Sequence, residues 1–307
     1  MMGMTQKAIT TAQFFRMFPD DETCLSHLFN VRFGQGFACP SCERPSKWFR
    51  IKAERAYSCQ WCGHHLHPTV GTPFEQTRTP LQLWFYAIHL FTTTRHGVSA
   101  KELERQLGVT YKTAWRMAGL IRQHMADVDG NEPIGGEGKT VQMDETFVGG
   151  RFARGHRGGD PAEGKATVFG MLEVGGSVVT HVVPNRTRST IFPLIKASVA
   201  PRSQVHTDEY RTYITVGNMP GMAFTHEAVN HRAGEYVCAR TGATVNAIEN
   251  FWRHLKVSIA STHISVSPKY LGRYAKEFEY RFNRRNDAAS MLPELLSTFR
   301  PLTAKRD

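Results

Sequence analysis

The chain has 307 residues, of which 41% are hydrophobic, so it is long enough for a main globular domain and one or two smaller modules. Its 38 Lys and Arg residues against 27 Asp and Glu residues give a formal charge of +11, which favours a polyanion such as nucleic acid as partner, although a basic but otherwise ordinary protein has the same balance. The sequence shows neither a signal-peptide pattern nor an apolar run of about 18 residues, so we expect a cytoplasmic protein with no membrane partner.

The N-terminal segment, assigned to residues 1–35, is predicted to be helical. The apolar residues Cys24, Leu25 and Leu28 recur there at helical spacing. Cys24 stands apart from the other cysteines, and we therefore expect it to lie in the core and not to act as a ligand.

Two CxxC pairs lie within residues 36–72, one at Cys39 and Cys42 and the other at Cys59 and Cys62. The gap between the pairs falls within the roughly 15 to 20 residues typical of a four-thiolate zinc site. Each pair places two sulfurs on one side of a tight turn, and two pairs complete a closed tetrahedron. The stretches WFRI and AYSC between them alternate as short strands do. The pattern predicts a zinc ribbon with a structural Zn²⁺.

Two alternatives to this ligand set stay open. The CxxC pairs are also compatible with disulfide or redox chemistry, which a reducing compartment disfavours. Three histidines, His64, His65 and His67, crowd the second pair. One of them is a possible replacement for a cysteine; otherwise we expect them to be exposed or to bind phosphate.

Residues 73–128 are predicted to form an apolar helix followed by a helix, a turn around Gly108 and a second helix. Thr110 is expected to cap that second helix. An αα-hairpin that only packs against its neighbours is the alternative to a helix-turn-helix. The second helix carries side chains suited to a major groove and its phosphates, namely Tyr111, Lys112, Thr113, Arg116 and Arg122.

The polar, Gly-rich residues 127–139 indicate a domain boundary, and we assign residues 137–300 to a single domain. Its patterns predict three strands in a meander, a helix, a strand and a later helix, which is the order of a ribonuclease-H-like core. The predicted fold class is thus a multidomain α+β or α/β protein with a zinc ribbon, a helix-turn-helix-like segment and a ribonuclease-H-like catalytic domain.

Two basic segments of this domain are candidates for DNA contacts. The loop at residues 151–165 carries Arg154 and Arg157 and is predicted to clamp phosphates, with a solvated surface loop as the alternative. A later amphipathic helix ends in a basic cluster, where Arg284 and Arg285 are expected to reach the DNA backbone.

Three acidic residues, Asp144, Asp208 and Glu249, stand in the predicted strands and later helix. An ionised carboxylate buried alone costs several kcal/mol, so an acid in an apolar strand indicates a nearby cation. Carboxylates are hard ligands that suit Mg²⁺, which few protein groups suffice to hold. A pair of such ions activates a water or a 3′-hydroxyl and stabilises the leaving oxygen. We interpret the three acids as one metal-holding set.

Strand alternation alone leaves open which acid of each adjacent pair points into the site. Asp144 is followed by Glu145, and Asp208 is followed by Glu209. Asp208 or Glu209 is also suited to cap the turn that precedes Tyr213.

Glu249 is followed by two basic residues on nearly the same helix face. Arg253 lies one turn further along and Lys256 two turns further. An acid and bases in this register can hold a metal ion and a DNA phosphate together.

Taken together, the motifs CPSC, CQWC, MDETFVGG, HTDEY, VNAIENFWRHLK and HISVSPKYLGRYAKEFEYRFNRRN resemble the DDE transposases of bacterial insertion sequences of the fifteen-ninety-five (ISXO-like) group. The likeness runs from about Phe15 to Asn286. It implies a zinc ribbon joined to a ribonuclease-H-like domain that cuts transposon ends and transfers their 3′-hydroxyls into target DNA, with Mg²⁺ or Mn²⁺ at the catalytic site.

The resemblance also assigns roles to residues. It favours Asp144 and Asp208 over their acidic neighbours, and it implies Glu249 as the third carboxylate with Lys256 as its basic companion. Some relatives carry Asn as the third residue, and Asn246 lies one turn before Glu249. Glu249 fits better, so Asn246 is treated as an auxiliary polar group.

The leading hypothesis is therefore a transposase that binds double-stranded DNA at terminal inverted repeats and joins the cut ends to target DNA. We expect a homodimer or larger assembly on DNA, associated with the nucleoid when bound. A non-catalytic DNA-binding regulator or domesticated transposase is the alternative. A structure-selective nuclease or ribonuclease H shares the carboxylates but needs no end-binding module.

Overall fold

The structure is a computed structural model. It describes residues 8–130, 132–149, 164–229, 237–238 and 241–299. Within them the chain divides into two compact units, one formed by residues 8–128 and 286–299 and the other by residues 129–285. None of the helices in the described ranges has the length and apolarity needed to cross a membrane.

The described helices and strands are numbered in chain order. The helices are α1 (Thr11–Met17), α2 (Asp21–Arg32), α3 (Leu81–Thr93), α4 (Ala100–Leu107), α5 (Tyr111–Asp129), α6 (Arg188–Ser198), α7 (Asn246–Ser258), α8 (Pro268–Asn283) and α9 (Met291–Ser297). The strands are β1 (Trp48–Ile51), β2 (Ala56–Cys59), β3 (His65–Leu66), β4 (Ile134–Gly135), β5 (Thr140–Val148), β6 (Ala166–Glu173), β7 (Val178–Val183), β8 (Val199–Ala200), β9 (Gln204–Asp208) and β10 (Thr225–Val229). A 3₁₀-helix covers Tyr213–Asn218, and a π-helical turn covers Ile259–His263.

The first unit is built around the apolar helix α3. Trp84 and Phe85 of this helix are fully buried, and α2 and α9 pack against it. Cys24 on α2 is also fully buried, and burial raises the pKa of its thiol to about 12, so the predicted core position is confirmed. Helix α9, which the sequence assignment placed in the segment 137–300, packs in this unit because its leucines are buried there; His124 Nε2 lies 2.8 Å from Leu295 O.

The predicted ribbon strands are present as an antiparallel sheet in the order β1-β2-β3. Trp48 pairs with Cys59 and Ile51 with Ala56, so the stretches WFRI and AYSC face each other along their whole length. This hairpin presents Cys59 at the end of β2, next to the turn that carries Cys62.

Helices α4 and α5 are joined by a turn that depends on Gly108 and Thr110, as the sequence predicts. Gly108 takes the left-handed conformation with φ of 65°, which ends α4 and lets the chain turn. The Oγ1 of Thr110 accepts the backbone N–H of Thr113 at 3.4 Å, so the predicted cap of α5 is confirmed. Arg122 is a correction to the predicted DNA-facing set. It is 97% buried, donates to Val98 O at 2.9 Å and stacks over Phe91, because it lies on the inner face of the helix.

The second unit contains a five-stranded sheet in the order β10-β9-β5-β6-β7. Strands β5, β6 and β7 form the predicted antiparallel meander, and β9 and β10 run parallel to β5. The predicted sequence of three strands, helix, strand and later helix is confirmed, and it is extended by the edge strand β10 and the short pair β4-β8.

Helices cover both faces of this sheet. On one face α6 and the 3₁₀-helix pack on Val141, Met143 and Phe169. On the other face α7 and α8 pack on Val148, Val168 and Leu172. This alternation along β5 and β6 decides which polar residues of the strands face α7.

Gly170 of β6 allows α7 to approach the sheet closely. A Cβ added at this position would lie 2.5 Å from the Trp252 ring of α7, so a larger residue would push the helix away. Gly170 pairs with Asp144 across the β5-β6 ladder. The approach therefore brings α7 directly over the strand position that carries Asp144.

Candidate functional site

The four cysteines of the ribbon come together as a metal-sized cluster. One ligand atom from each lies within 4.8 Å of all the others. Cys39 Sγ is 3.6 Å from Cys62 Sγ, and Cys42 Sγ is 3.8 Å from Cys59 Sγ. A tetrahedral zinc ion with Zn–S bonds of about 2.3 Å requires sulfurs about 3.8 Å apart, whereas a disulfide requires about 2.05 Å. The geometry fits structural zinc and does not fit cystine.

The neighbouring groups complete this site. Ser46 Oγ and the backbone N–H of Trp61 donate to Cys59 Sγ at 3.3 and 3.4 Å, as expected around a thiolate ligand. His65 pairs with Glu54 at 2.7 Å, and the cluster contains no histidine. The alternative in which a histidine replaces a cysteine is therefore not seen.

Asp144 and Asp208 lie at equivalent positions on adjacent parallel strands. Gln142 of β5 is paired with His206 of β9, and each acid stands two residues further along its own strand. Since side chains alternate with a period of two, both acids face the same side of the sheet as Gln142. That side is the one covered by α7, as Val148 and the position of Gly170 show.

Glu145 faces the opposite side of the sheet. The hydroxyl of the buried Tyr213 donates a hydrogen bond to Glu145 Oε1. Burial raises the pKa of Glu145 to about 7. Strand pairing thus separates the two adjacent acids, with Asp144 towards α7 and Glu145 towards the 3₁₀-helix.

Asp208 ends β9 and also shapes the turn that follows. Its Oδ1 accepts the backbone N–H of Tyr210 at 3.0 Å, so the capping role considered for this residue is present alongside its position beside Asp144. Glu209 is exposed. Asp208 is the member of this pair that belongs to the strand.

Two side chains of the sheet hold the start of α7, where Glu249 lies in the first turn. Gln142 is 99% buried, and its Oε1 accepts the backbone N–H groups of Ala247 and Ile248 at 2.9 and 3.1 Å. His206 Nδ1 lies 3.3 Å from the backbone nitrogen of Thr244. The N-cap residue of α7 makes no side-chain cap, so Gln142 takes that role from the neighbouring strand.

Sequence reasoning missed Gln142 and His206 as positioning residues, although a signal was present. Each stands two residues before a predicted acid, Asp144 or Asp208, and strand periodicity puts it on the same face as that acid. The two strands therefore each supply one carboxylate and one contact that fixes the helix carrying the third.

Asp144 lies close enough to the other acids for their charges to influence its pKa. Burial and then the negative charges of Glu145, Asp208 and Glu249 raise the pKa of Asp144 to about 7. Partial burial lowers the pKa of Lys256, and the nearby Asp144 opposes that shift. A group of like charges beside Lys256 fits a bound cation, and its carboxylate oxygens are the donors that Mg²⁺ or Mn²⁺ prefers.

The carboxylates are less tightly gathered than the cysteines. In the described part of the chain, the four thiols are the only set of three or more His, Cys, Asp or Glu residues whose ligand atoms meet at metal-binding spacing. Asp144, Asp208 and Glu249 interact through charge across the gap between the sheet and α7.

The predicted DNA-contacting residues fall into two groups by exposure. Lys112 and Arg116 are exposed near the start of α5, and Thr113 is half-buried beside them. Arg253 is exposed on α7, where it donates to Asn250 Oδ1 at 2.8 Å. Arg285 is exposed as well and donates to backbone carbonyls, including that of Gly176 at 2.9 Å.

Arg284 has an internal position instead. Its guanidinium is paired with the carboxylate of Asp129 and lies 4.0 Å from the centre of the Tyr280 ring. Arg284 thus holds the end of α8 against its own unit. Because its charge is paired there, it is not presented to a phosphate. Arg154 and Arg157 lie outside the described residues.

Comparison with known proteins finds matches over both halves of the chain. Residues 135–283 match the model of the ISXO2-like transposase domain, and residues 19–65 match that of the transposase zinc-ribbon domain. The first range contains the three acids and the second contains the four cysteines. The matched models therefore cover both candidate metal sites.

Two relatives extend this similarity. The chain is 29% identical to an uncharacterized protein in transposable element ISH50 of Halobacterium salinarum, over 87% of this chain and 92% of that protein. It is 34% identical to an uncharacterized transposase-like protein of Haemophilus influenzae, over 34% of this chain and 80% of that protein. The similarity to the first covers nearly the whole of both proteins.

Proposed function

Since the chain belongs to the family of ISXO2-like transposases of insertion sequences, we propose that it cuts the DNA ends of its element and joins their 3′-hydroxyls to target DNA. The observation that carries this proposal is that Asp144 and Asp208 share the sheet face covered by α7, which carries Glu249 in its first turn; burial and then the charges of neighbouring acids raise the pKa of Asp144. A three-stranded meander extended by two parallel strands, with helices on both faces, supports a ribonuclease-H-like core.

Asp144, Asp208 and Glu249 would hold the divalent ions, Mg²⁺ or Mn²⁺. When bound, such ions activate a water or a 3′-hydroxyl and stabilise the leaving oxygen. The chain's own residues do the rest. Gln142 fixes the helix that carries Glu249, and Lys256, two turns further along that helix, binds the phosphate beside the scissile bond. Arg253 on the same helix extends this contact along the strand.

The first unit would recognise the terminal inverted repeats. Lys112, Thr113 and Arg116 lie at the start of α5, the part of a recognition helix that enters the major groove. Structural zinc holds the ribbon in shape for backbone contacts. Arg285 adds a backbone contact from the second unit, with Arg154 and Arg157 proposed for the same role. Pairing two ends requires two subunits, so we infer a dimer on DNA.

A DNA-binding regulator without catalysis is the second candidate. It is supported by the ribbon, the helix-turn-helix and the charge of +11, and by the looser spacing of the carboxylates than of the thiols. A regulator of this kind would not need the acids that face α7. Metal-dependent cleavage separates the two candidates.

The test uses a labelled duplex that carries the terminal repeat of the element, with Mg²⁺ or Ca²⁺. Wild-type protein is expected to nick the repeat boundary with Mg²⁺ and to join the end to a target duplex. Asp144→Asn should bind the repeat without cutting it. Glu145→Gln is the matched control, because that side chain faces the other side of the sheet and still accepts from Tyr213. Specific binding without cleavage by the wild type would favour the regulator.

A further inference from the structure

A cleft of about 460 Å³ opens beside Lys256, where the end of β5 meets the segment that follows α7. Its walls are mainly apolar and include Val148, Ile259 and Val266. Lys256 stands at its edge and is the one cation among the described residues that line it. A cleft of this composition suits a ligand with an apolar face and an adjacent negative charge.

The outer rim of this cleft is formed by Ile264, which is 88% exposed. Its φ of 64° and ψ of −55° are those of a tight turn in which the N–H of Ser265 donates to His263 O at 2.6 Å. Turns of this kind with a positive φ at the centre are rare and strained, and a β-branched residue is the least suited to them. The preceding π-helical turn is a second irregular feature of the kind often found at functional sites.

Exposure and strain together require an explanation. In the free protein, the exposed side chain and the strained backbone of Ile264 both cost free energy. An apolar contact made on binding would offset the two costs. Lys256 adjoins the same cleft two turns after Glu249 on α7, and Val148 of its wall follows Asp144 on β5, so the cleft lies next to the acids of the proposed reaction.

We propose that this cleft takes a nucleobase unstacked from the DNA strand whose phosphate lies at Lys256, and that Ile264 fills the gap left in the base stack. The inference rests on the proposed function. The apolar surfaces of DNA are the faces of its bases, and they become available only when a base leaves the stack. Apolar side chains, isoleucine among them, are inserted between base steps by DNA-bending proteins. The charge and the shape of the cleft thus both fit a nucleotide.

The first test detects unstacking directly and does not depend on cleavage. The fluorescent base 2-aminopurine is placed in turn at each position flanking the repeat boundary, and full-length protein is added with Ca²⁺. Fluorescence is expected to rise at one position with the wild type and to stay low with Ile264→Ala. Ile214→Ala is the control, because Ile214 is 71% exposed in the same unit but lies away from the cleft. A second variant, Val266→Trp, fills the cleft from its wall and should also abolish the signal.

The second test asks whether an already unstacked substrate removes the need for Ile264. On a paired duplex Ile264→Ala should cut about 10-fold to 100-fold more slowly than the wild type, since extruding a paired base is costly. A mismatch at the responsive position should restore most of that rate, and Ile214→Ala should behave as the wild type on both duplexes.

Three results would overturn the inference. The first is that Ile264→Ala and the wild type cut the paired duplex equally fast. The second is that fluorescence changes at no position in a complex that cuts with Mg²⁺. The third is that Ile264→Ala changes the oligomeric state of the DNA-free protein. The last would assign the rim to a second copy of the chain. Failure of the wild type to cut any duplex would instead contradict the proposed function, and the fluorescence readout distinguishes the two failures.

Discussion

Asp144 and Glu145 are adjacent in sequence and both have a pKa raised to about 7, yet their side chains have different neighbours. Burial is the largest cause in each case. For Asp144 the next causes are the charges of other acids, whereas Glu145 has a buried hydroxyl, that of Tyr213, as hydrogen-bond donor. The charge of Asp208 raises the pKa of both residues, and the hydrogen bond from Tyr213 opposes the shift for Glu145. A raised pKa therefore does not separate the two acids; the side of the strand that each one faces does.

A residue far from the acids gives the clearest pH dependence. His181 on β7 has a buried Nε2 without a hydrogen-bond partner among the described residues, and burial together with the charge of Lys276 lowers its pKa to about 4 from 6.5. The neutral form is favoured in the folded protein. The stability contributed by this residue is therefore present above about pH 6.5 and is lost as the pH falls towards 4.

We expect His181→Phe to remove this part of the acid sensitivity. The loss of unfolding free energy between pH 7 and pH 5 should shrink by about 1 to 2 kcal/mol relative to the wild type. Urea unfolding at the two pH values measures it. His254→Phe is the control, since His254 is exposed on α7. An unchanged pH dependence in His181→Phe would show that His181 does not set it.

At the residue scale the sequence identifies the acids but not their orientation. The alternation of polar and apolar residues gives the period of a strand, but β5 is flanked by apolar residues on both faces, so the pattern cannot tell which face meets α7. The partners decide it. Gly170 leaves room for Trp252 over Asp144, and that contact between distant segments has no local signature.

At the scale of elements, the connection between β5 and α7 is the most informative. Gln142 accepts two backbone N–H groups that α7 cannot satisfy itself, two residues before Asp144 on the same strand face. One buried side chain thus fixes the position of the start of α7 relative to β5. The position of Glu249 relative to Asp144 depends on that contact.

Gln142→Leu should loosen the contact between β5 and the start of α7. Leaving the N–H groups of Ala247 and Ile248 without an acceptor is expected to cost about 1 to 3 kcal/mol of stability. Cleavage should fall by about 10-fold to 100-fold, because a misplacement of roughly 1 Å has effects of that size. The concentration of Mn²⁺ that gives half-maximal cleavage should rise as well, which a purely structural role would not cause.

Gln142→Glu is the rescue variant, because it keeps the acceptor and should recover most of the cleavage. Gln204→Leu is the control for replacing a strand glutamine, since Gln204 is exposed on β9 and its side-chain oxygen accepts from Thr140 Oγ1. If Gln142→Leu lost stability but kept the Mn²⁺ dependence of the wild type, the positioning role would be wrong.

The ribbon is an element whose fold depends on its ion. Its strands are short, and its cysteines are held at zinc spacing around one point. Cys59→Ser should reduce bound zinc from one ion per chain to none and unfold the ribbon, because structural zinc contributes roughly 10 to 16 kcal/mol in small zinc modules. Metal analysis together with protease sensitivity of this segment measures it.

Cys24→Ala is the matched control for this prediction. Cys24 is buried among helices and belongs to no metal cluster in the described residues, so the variant should lose some stability and keep its zinc. A Cys59→Ser protein with full zinc content and an intact ribbon would contradict the ligand assignment.

The elements that the sequence analysis missed are short or at edges. Strand β10 has five residues with a single buried one, and β4 and β8 have two residues each, so none shows the alternation that indicates a strand. The long elements were predictable because their apolar periodicity is strong. Edge pairing depends on the strand already in place, as β10 pairs with β9 along its whole length.

At the scale of the whole molecule, the charge of +11 is not evenly available. Arg122 is buried, and Arg284 is paired with Asp129, so both contribute to net charge without being presented to a ligand. Lys112 and Arg116 are exposed at the start of α5. The count of 38 Lys and Arg residues therefore overstates the number of cations that can meet phosphates.

This difference predicts how DNA affinity depends on salt. The logarithm of the association constant should fall with the logarithm of salt concentration, with a slope of about −0.9 for each phosphate neutralised. Lys112→Ala and Arg116→Ala should each weaken repeat binding and reduce the magnitude of the slope by about 1. Titrations of a labelled repeat at several salt concentrations measure both effects.

Lys196→Ala is the control for these variants, because it removes the same charge. Lys196 is exposed on α6, on the face of the sheet opposite to α7. Its slope should equal that of the wild type, which separates local phosphate contacts from the long-range field of the protein. Equal reductions from Lys196→Ala and Lys112→Ala would mean that net charge alone governs binding. In that case α5 would lose its role as the element that contacts the repeat.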